Sequence, residues 1–195
     1  YLELDEANPQ SENDFGKNVL PAMLDAGEKM YSYRFEGYWK DVGTITSLWE
    51  ANMDLLGVIP NFQLNDRDRV VHSRSPLAPP AFVEGEVVNS IVATGGEIEG
   101  KVVNSVIGTN CVIEKGAEVT DCVLMGNIVV KSGAKINYAI IDEEVTIGEN
   151  AVIGAPKTEV CNIESKTGGI TVLGRGITVS KKGKIAAGEI VDKSV

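Results

Sequence analysis

Asp41 is the residue of this 195-residue chain whose type and setting point most directly to chemistry. It stands in Phe35-Glu36-Gly37-Tyr38-Trp39-Lys40-Asp41-Val42-Gly43-Thr44, between an alternating segment and a Gly-Thr turn. A carboxylate fixed there can present an oxygen to a divalent cation, and reactions that bring phosphates together need such a cation to neutralise charge and orient the leaving group. It can equally stabilise the turn that opens a helix, and the local residues leave both readings open. Tyr38, Trp39 and Trp49 could stack on a base, but aromatics that flank a strand or line a helix's apolar face are ordinarily core. Lys17, in the first turn of a candidate helix, reads as a solvated side chain.

The elements that must position Asp41 are short. The polar run Ser11-Glu12-Asn13-Asp14 can cap a helix carrying Val19, Leu20, Met23 and Leu24, ended by Gly27, although Pro21 falls inside the pattern. Met30 to Phe35 alternate, with Tyr31, Tyr33 and Phe35 on one side, as in a half-buried strand. After Gly43 the period becomes 3.6, with Ile45, Leu48, Trp49, Asn52, Leu55 and Leu56 on one face, and Ser47-Leu48-Trp49-Glu50 resembles a capping box; a helix from about Thr44 to Leu56 is predicted. Residues 58–80, rich in Pro, Asn, Asp, Arg and Ser, read as a linker. The expected organisation is therefore a mixed α/β piece at 1–57, the linker at 58–80 and a repeat domain at 81–195.

The second half repeats. Val88-Asn89-Ser90-Ile91-Val92, Val103-Asn104-Ser105-Val106-Ile107, Val119-Thr120-Asp121-Cys122-Val123 and Ile136-Asn137-Tyr138-Ala139-Ile140 align as one motif, with starts 15, 16 and 17 residues apart. A six-residue beat runs through Ile107, Ile113, Val119 and Met125, then Ile141, Ile147 and Ile153, then Leu173, Val179, Ile185 and Val191. Two overlaid periods of this kind mark a hexapeptide parallel β-helix, in which three short strands close a triangular coil and each strand sends one aliphatic side chain inward. About six coils stacked at ~4.8 Å would stand roughly 25 to 30 Å tall. Gly116, Gly133, Gly148 and Gly174 fall near the expected corners. Pro156 to Gly169 break the beat and read as a loop inserted between the last coils.

Composition excludes several classes. A net charge of −10 with one histidine argues against nucleic-acid or anionic-membrane partners, so a phosphorylated ligand would need a local cation or a metal. Cys111, Cys122 and Cys161 have no C-x-x-C spacing, which suggests neither a disulfide framework nor a zinc site and fits a reducing, cytoplasmic compartment. No apolar run approaches the roughly 20 residues needed to span a bilayer. Hexapeptide acyltransferases and γ-class carbonic anhydrases need a histidine on the coils, as base or as zinc ligand. His72 lies in the linker, so neither is expected.

The Phe35-to-Thr44 string, followed by Ser47-Leu48-Trp49-Glu50-Ala51-Asn52-Met53-Asp54-Leu55-Leu56, resembles the ADP-glucose pyrophosphorylase (glucose-1-phosphate adenylyltransferase) family. So do Asp14-Phe15-Gly16-Lys17-Asn18-Val19-Leu20-Pro21 and the Pro-rich linker into hexapeptide repeats. The W-x-D-x-G-T string is shared more widely by sugar-1-phosphate nucleotidyltransferases. The resemblance implies the C-terminal piece of a Rossmann-like α/β nucleotidyltransferase domain followed by a left-handed parallel β-helix. It implies the reaction of ATP with glucose 1-phosphate to give ADP-glucose and diphosphate, with Mg²⁺ held through Asp41. The family's glycine-rich nucleotide loop, second metal aspartate and sugar-phosphate Glu-Lys pair would lie upstream of Tyr1, so no catalytic residue is assigned here and the chain alone is expected to be inactive.

By the same resemblance the β-helix serves subunit assembly, as a homotetramer or a heterotetramer, and allosteric control. Where enterobacterial-type members carry an effector-binding arginine, this chain reads Ala139-Ile140-Ile141-Asp142-Glu143, and an acidic Glu143 does not favour AMP. Lys157, Lys166 and Arg175 are the candidates for a sugar-phosphate effector, against an ordinary role as solvated charges. The alternatives are a noncatalytic regulatory subunit of the same family and a sister nucleotidyltransferase using GTP, UTP or CTP.

Overall fold

The computed structural model describes residues 1–64, 66–72, 77–160 and 165–195, which divide into two compact units, Tyr1–Gly37 and Tyr38–Val195. Cys161 lies outside the described residues.

In the first unit α1 (Leu2–Glu6) is followed by a π-helical turn at Phe15–Val19 and by α2 (Leu20–Asp25). Asp14 is the cap: its carboxylate accepts the Lys17 N–H at 2.8 Å. Pro21 sits in the first turn of α2, where a missing N–H breaks no helical bond. Gly27 leaves the helix at φ +74. The expected strand at Met30 to Phe35 does not form. Tyr31 and Tyr33 are 90% and 88% exposed, and this unit supplies no strand to pair with theirs. Alternation describes two faces of an extended segment, but the backbone of a strand still requires a neighbour.

The second unit opens with α3 (Ile45–Met53), somewhat shorter than expected. Its capping box joins Thr44 to Ser47 rather than Ser47 to Glu50, with the Ser47 N–H donating to Thr44 Oγ1 at 3.1 Å and the Thr44 N–H to Ser47 Oγ at 3.0 Å. Beyond the linker the chain winds into a parallel β-helix of three six-stranded sheets. The first sheet stacks segments 82–83, 97–98, 112–113, 129–130, 146–147 and 178–179. The second stacks 86–88, 101–103, 118–120, 135–137, 152–153 and 184–185, and the third 91–92, 106–109, 123–126, 139–141, 171–173 and 190–191.

One aliphatic residue per strand fills the interior. Ile98, Ile113, Val130 and Ile147 come from the first sheet, Val102, Val119, Ile136 and Ile153 from the second, and Ile107, Leu124, Ile141 and Leu173 from the third, all fully buried. The register corrects the repeat alignment: Val88 pairs with Val103, Val103 with Thr120, and Lys135 to Asn137 with Glu118 to Thr120. The third and fourth motifs therefore begin one residue later than the sequence alignment placed them. Leu124, not Met125, points inward; Met125 is 37% exposed.

The step from the first to the second sheet lengthens from four residues, Ile98 to Val102, to six, Ile113 to Val119, which moves the third motif. At the corner between the second and third sheets Val102 to Ile107, Val119 to Leu124 and Ile136 to Ile141 are five-residue steps, so a strict beat of six overshoots Leu124. Asn89, Asn104, Asp121 and Tyr138 turn this corner at φ between +45 and +55. Asn and Asp tolerate that conformation because their side chains bond locally. Here they form a ladder instead: Asn89 Nδ2 donates to Asn104 Oδ1 at 2.8 Å, and Asn104 Nδ2 donates to Asp121 Oδ1. Gly116 and Gly133 turn the corner between the first and second sheets at φ +81 and +71.

The outer face of the third sheet is apolar and forms a second core. Val123, Ile140, Tyr138 and Ile170 pack with Trp49 of α3 and with Val160 of α4 (Lys157–Val160), which lies in the inserted loop. α3 is thus joined to the coils from outside, and the compact unit that holds the coils begins upstream of it, at Tyr38.

Candidate functional site

The segment carrying Asp41 runs alongside α3, and its side chains sort by parity. Tyr38 and Lys40 turn towards the helix: Tyr38 OH donates to Asp54 at 2.9 Å, and Lys40 Nζ lies 3.0 Å from Asp54 and 3.1 Å from Glu50. Asn61 completes the shell of Asp54 at 2.7 Å. Trp39 is 75% exposed and Asp41 is also exposed. The core role expected for the aromatics holds for Trp49, 4% exposed, but not for Trp39; Tyr38 stays partly open and stacks on Phe62 at 5.4 Å.

Burial opposes charge on Asp54, yet hydrogen bonds from Asn61, Lys40 and Tyr38 outweigh it and hold the carboxyl below its usual range. Burial likewise works against the Lys40 ammonium, and its bonds to Asp54 and Glu50 raise it above the ordinary lysine value. This knot fixes the approach to Asp41 but was not visible in the sequence, because Asp54, the C-cap of α3, lies 16 and 14 residues from Tyr38 and Lys40 and nothing in its own surroundings marks that pairing.

Asp41 Oδ1 accepts the Gly43 N–H at 2.9 Å, so the turn reading is realised. Its second oxygen is not used in that bond. Mg²⁺ is usually bound through one or two carboxylates, with waters and substrate phosphates completing an octahedron. One free carboxylate oxygen suits such a partial donor set and does not amount to a protein cage. Among the described residues no three His, Cys, Asp or Glu side chains converge on a point.

Of the three basic candidates, Lys157 and Arg175 have different partners. Lys157 Nζ lies 4.3 Å from the centroid of the Trp49 ring and 5.9 Å from that of Tyr138, a cation–π arrangement. Arg175 is held by Glu144 at 2.6 Å and Glu143 at 3.4 Å, and the Glu144 contact raises its guanidinium further. Lys166 is exposed. Glu143, which the sequence marked as unsuited to a nucleotide phosphate, is thus part of a small acidic clamp on Arg175. A cleft of about 420 Å³, lined by Leu55, Leu56, Pro60 and Leu64 with Asn89 and Ser90, lies beside the first coil. Among the described residues no helix is long and apolar enough to cross a membrane.

Comparison with known proteins agrees with this architecture. A family model described as "Nucleotidyl transferase" matches residues 1–57. Curated proteins named "Glucose-1-phosphate adenylyltransferase" from Bacillus anthracis and Bacillus thuringiensis (strain Al Hakam) are each 45% identical to the chain over 159 residues, and the one from Bacillus mycoides (strain KBAB4) is 44% identical. In each case the match covers 80% of this chain and 42% of the relative, so the chain spans less than half the length of the curated relatives it matches. The model "GlmU-like, C-terminal hexapeptide" matches residues 79–179, more than half of the 195 residues. With the coils, corners and inward aliphatic positions in that same stretch, the chain belongs to the GlmU-like C-terminal hexapeptide family.

Proposed function

We propose that this chain is the C-terminal portion of a glucose-1-phosphate adenylyltransferase, which joins ATP and glucose 1-phosphate into ADP-glucose and releases diphosphate. The observation that carries the reading is the 45% identity to enzymes of that name over 159 residues. Those residues extend over four-fifths of the chain, so the likeness is not confined to generic coils. Supporting it is the Trp39-to-Thr44 turn, which leaves an exposed carboxylate at the start of a helix anchored on the β-helix.

In this reading Asp41 would hold Mg²⁺ through a carboxylate oxygen, and the cation would offset the charge that accumulates as the sugar phosphate attacks the α-phosphorus. Lys40, Tyr38 and Asp54 hold the segment that presents Asp41. The β-helix serves assembly into a tetramer in the cytoplasm. Lys157, Lys166 and Arg175 are the candidates for an anionic sugar-phosphate effector, and at Arg175 such a ligand would have to displace Glu143 and Glu144.

The test joins residues 1–195 behind the part of the Bacillus anthracis relative that precedes the matched region. Diphosphate release is then followed with glucose 1-phosphate, Mg²⁺ and each of ATP, GTP, UTP and CTP. Turnover confined to ATP, and lowered at least 100-fold in Asp41→Ala, is the expected result. Preference for another nucleotide would move the chain to a sister transferase, and no turnover with any would favour a noncatalytic regulatory subunit.

A further inference from the structure

We infer that Trp49 is a positioning residue: bolted to the outer wall of the β-helix, it sets the placement of α3 and, through the Thr44 cap, of the Asp41 turn. The inference rests on the proposed function for the role of Asp41, but the anchoring itself belongs to this chain alone.

Four contacts converge on Trp49 and its helix. Its Nε1–H donates to the Asp121 carbonyl at 2.8 Å, 72 residues away, at the left-handed corner of the third coil wall. Its ring meets Tyr138, the next residue up the same corner column, edge to face at 5.0 Å and 80°. Lys157, from the inserted loop, closes the ring from another side at 4.3 Å. One turn earlier on α3, Thr46 Oγ1 reaches the Thr167 carbonyl of that loop at 3.5 Å. The loop and the corner column therefore hold the helix from different sides, and Trp49 stands only eight positions after Asp41.

The column explains why Tyr138 stands where Asn and Asp stand below it. Asn89, Asn104 and Asp121 extend a polar ladder upward, whereas an aromatic residue at φ +46 is uncommon in that conformation. At 138 an aromatic ring stands in the column, and it packs edge to face with Trp49. A buried indole N–H seeks an acceptor, and the carbonyl at this corner faces it. Removing the N–H leaves that carbonyl unpaired, which acts on the register of the helix without touching any coil interior.

The measurement has two arms. In the 195-residue chain, amide hydrogen exchange is compared between wild type and Trp49→Phe, which keeps an aromatic ring and deletes the N–H. The expected result is about tenfold faster exchange at residues 48–54 with the strands of the coils unchanged. In the joined enzyme described above, Trp49→Phe is expected to lower kcat about tenfold while the KM for both substrates stays within twofold, because a small misplacement of a reacting group costs rate more than binding. A second variant, Lys157→Met, removes the cation and keeps the stem, and should show the same pattern more weakly.

Unchanged exchange in α3, or faster exchange spread equally over the coils, overturns the anchor. Faster exchange in α3 with kcat unchanged overturns the positioning role. A wild-type joined enzyme without turnover defeats the functional reading and removes the positioning role with it, while the exchange arm still decides the anchor.

Discussion

The Asp54 carboxylate takes hydrogen bonds from Tyr38, Lys40 and Asn61, which lowers its folded-state value below the 3.8 of a free aspartate. A carboxyl depressed in the native state contributes stability that is complete above pH 3.8 and disappears as pH falls through the folded value. Asp54→Asn should therefore cost about 1 to 2 kcal/mol at pH 7 by urea denaturation, and the difference from wild type should shrink towards zero in strongly acid solution. Lys40 works in the opposite sense, its contribution being present below its ordinary value of 10.5 and lost as pH rises through the elevated one. The cysteines give a second expectation. Burial pushes the Cys111 thiol up to about 11 and the Cys122 thiol to about 12, so at pH 8 neither should react with a soluble disulfide reagent until the chain unfolds. The measurement is thiol titration in a Cys161→Ser background, before and after denaturant.

At the scale of the element, what the sequence reveals depends on whether a position needs a distant partner. The helix after Gly43 was legible from its 3.6-residue period, but its cap was placed one turn late, at Ser47 to Glu50, because both Thr44 and Ser47 offer a hydroxyl at a helix start. The segment at 30–35 was misread because alternation reports two faces and says nothing of who supplies the neighbouring strand. The coils were legible because each inward slot accepts only a medium aliphatic side chain, but the five-residue step was hidden: Leu124 and Met125 are both apolar, and only the register tells them apart. Inward positions should behave as core, with Ile136→Ala costing about 2 to 5 kcal/mol in chemical denaturation. Gly108 is stricter than its conformation suggests. A Cβ there would lie 1.6 Å from the Met125 carbonyl oxygen, so Gly108→Ala should destabilise by at least about 3 kcal/mol, or block folding of that coil. By contrast Gly116, with nothing nearer than 3.8 Å, suffers only its positive φ, and alanine there should cost about 1 to 2 kcal/mol.

For the whole molecule, the site is a meeting of stretches far apart in the chain, which is why so little of it could be read in advance. Asp41 and its turn were visible as a local motif; Asp121, Tyr138, Thr167 and Lys157 were not, since nothing in their own surroundings names Trp49. The outer walls show where energy is not stored. Lys101–Glu86 and Lys135–Glu118 are exposed pairs at 3.0 Å on the second sheet. Replacing both lysines by glutamine should change stability by less than about 1 kcal/mol, measured as the midpoint shift in urea, because exposed pairs gain little against solvent.

The inserted loop obeys an arithmetic of its own. Leu124 to Ile141 is one turn of 17 residues, whereas Ile141 to Leu173, again directly stacked, is 32, so the loop adds 15 residues without shifting the phase of anything above it. Such a bulge is a cassette with a second tie: the winding on either side keeps its thread past it, but Lys157, Val160 and Thr167 fasten it to Trp49 and Thr46 of α3, so exchanging it would spare the coils and release the helix.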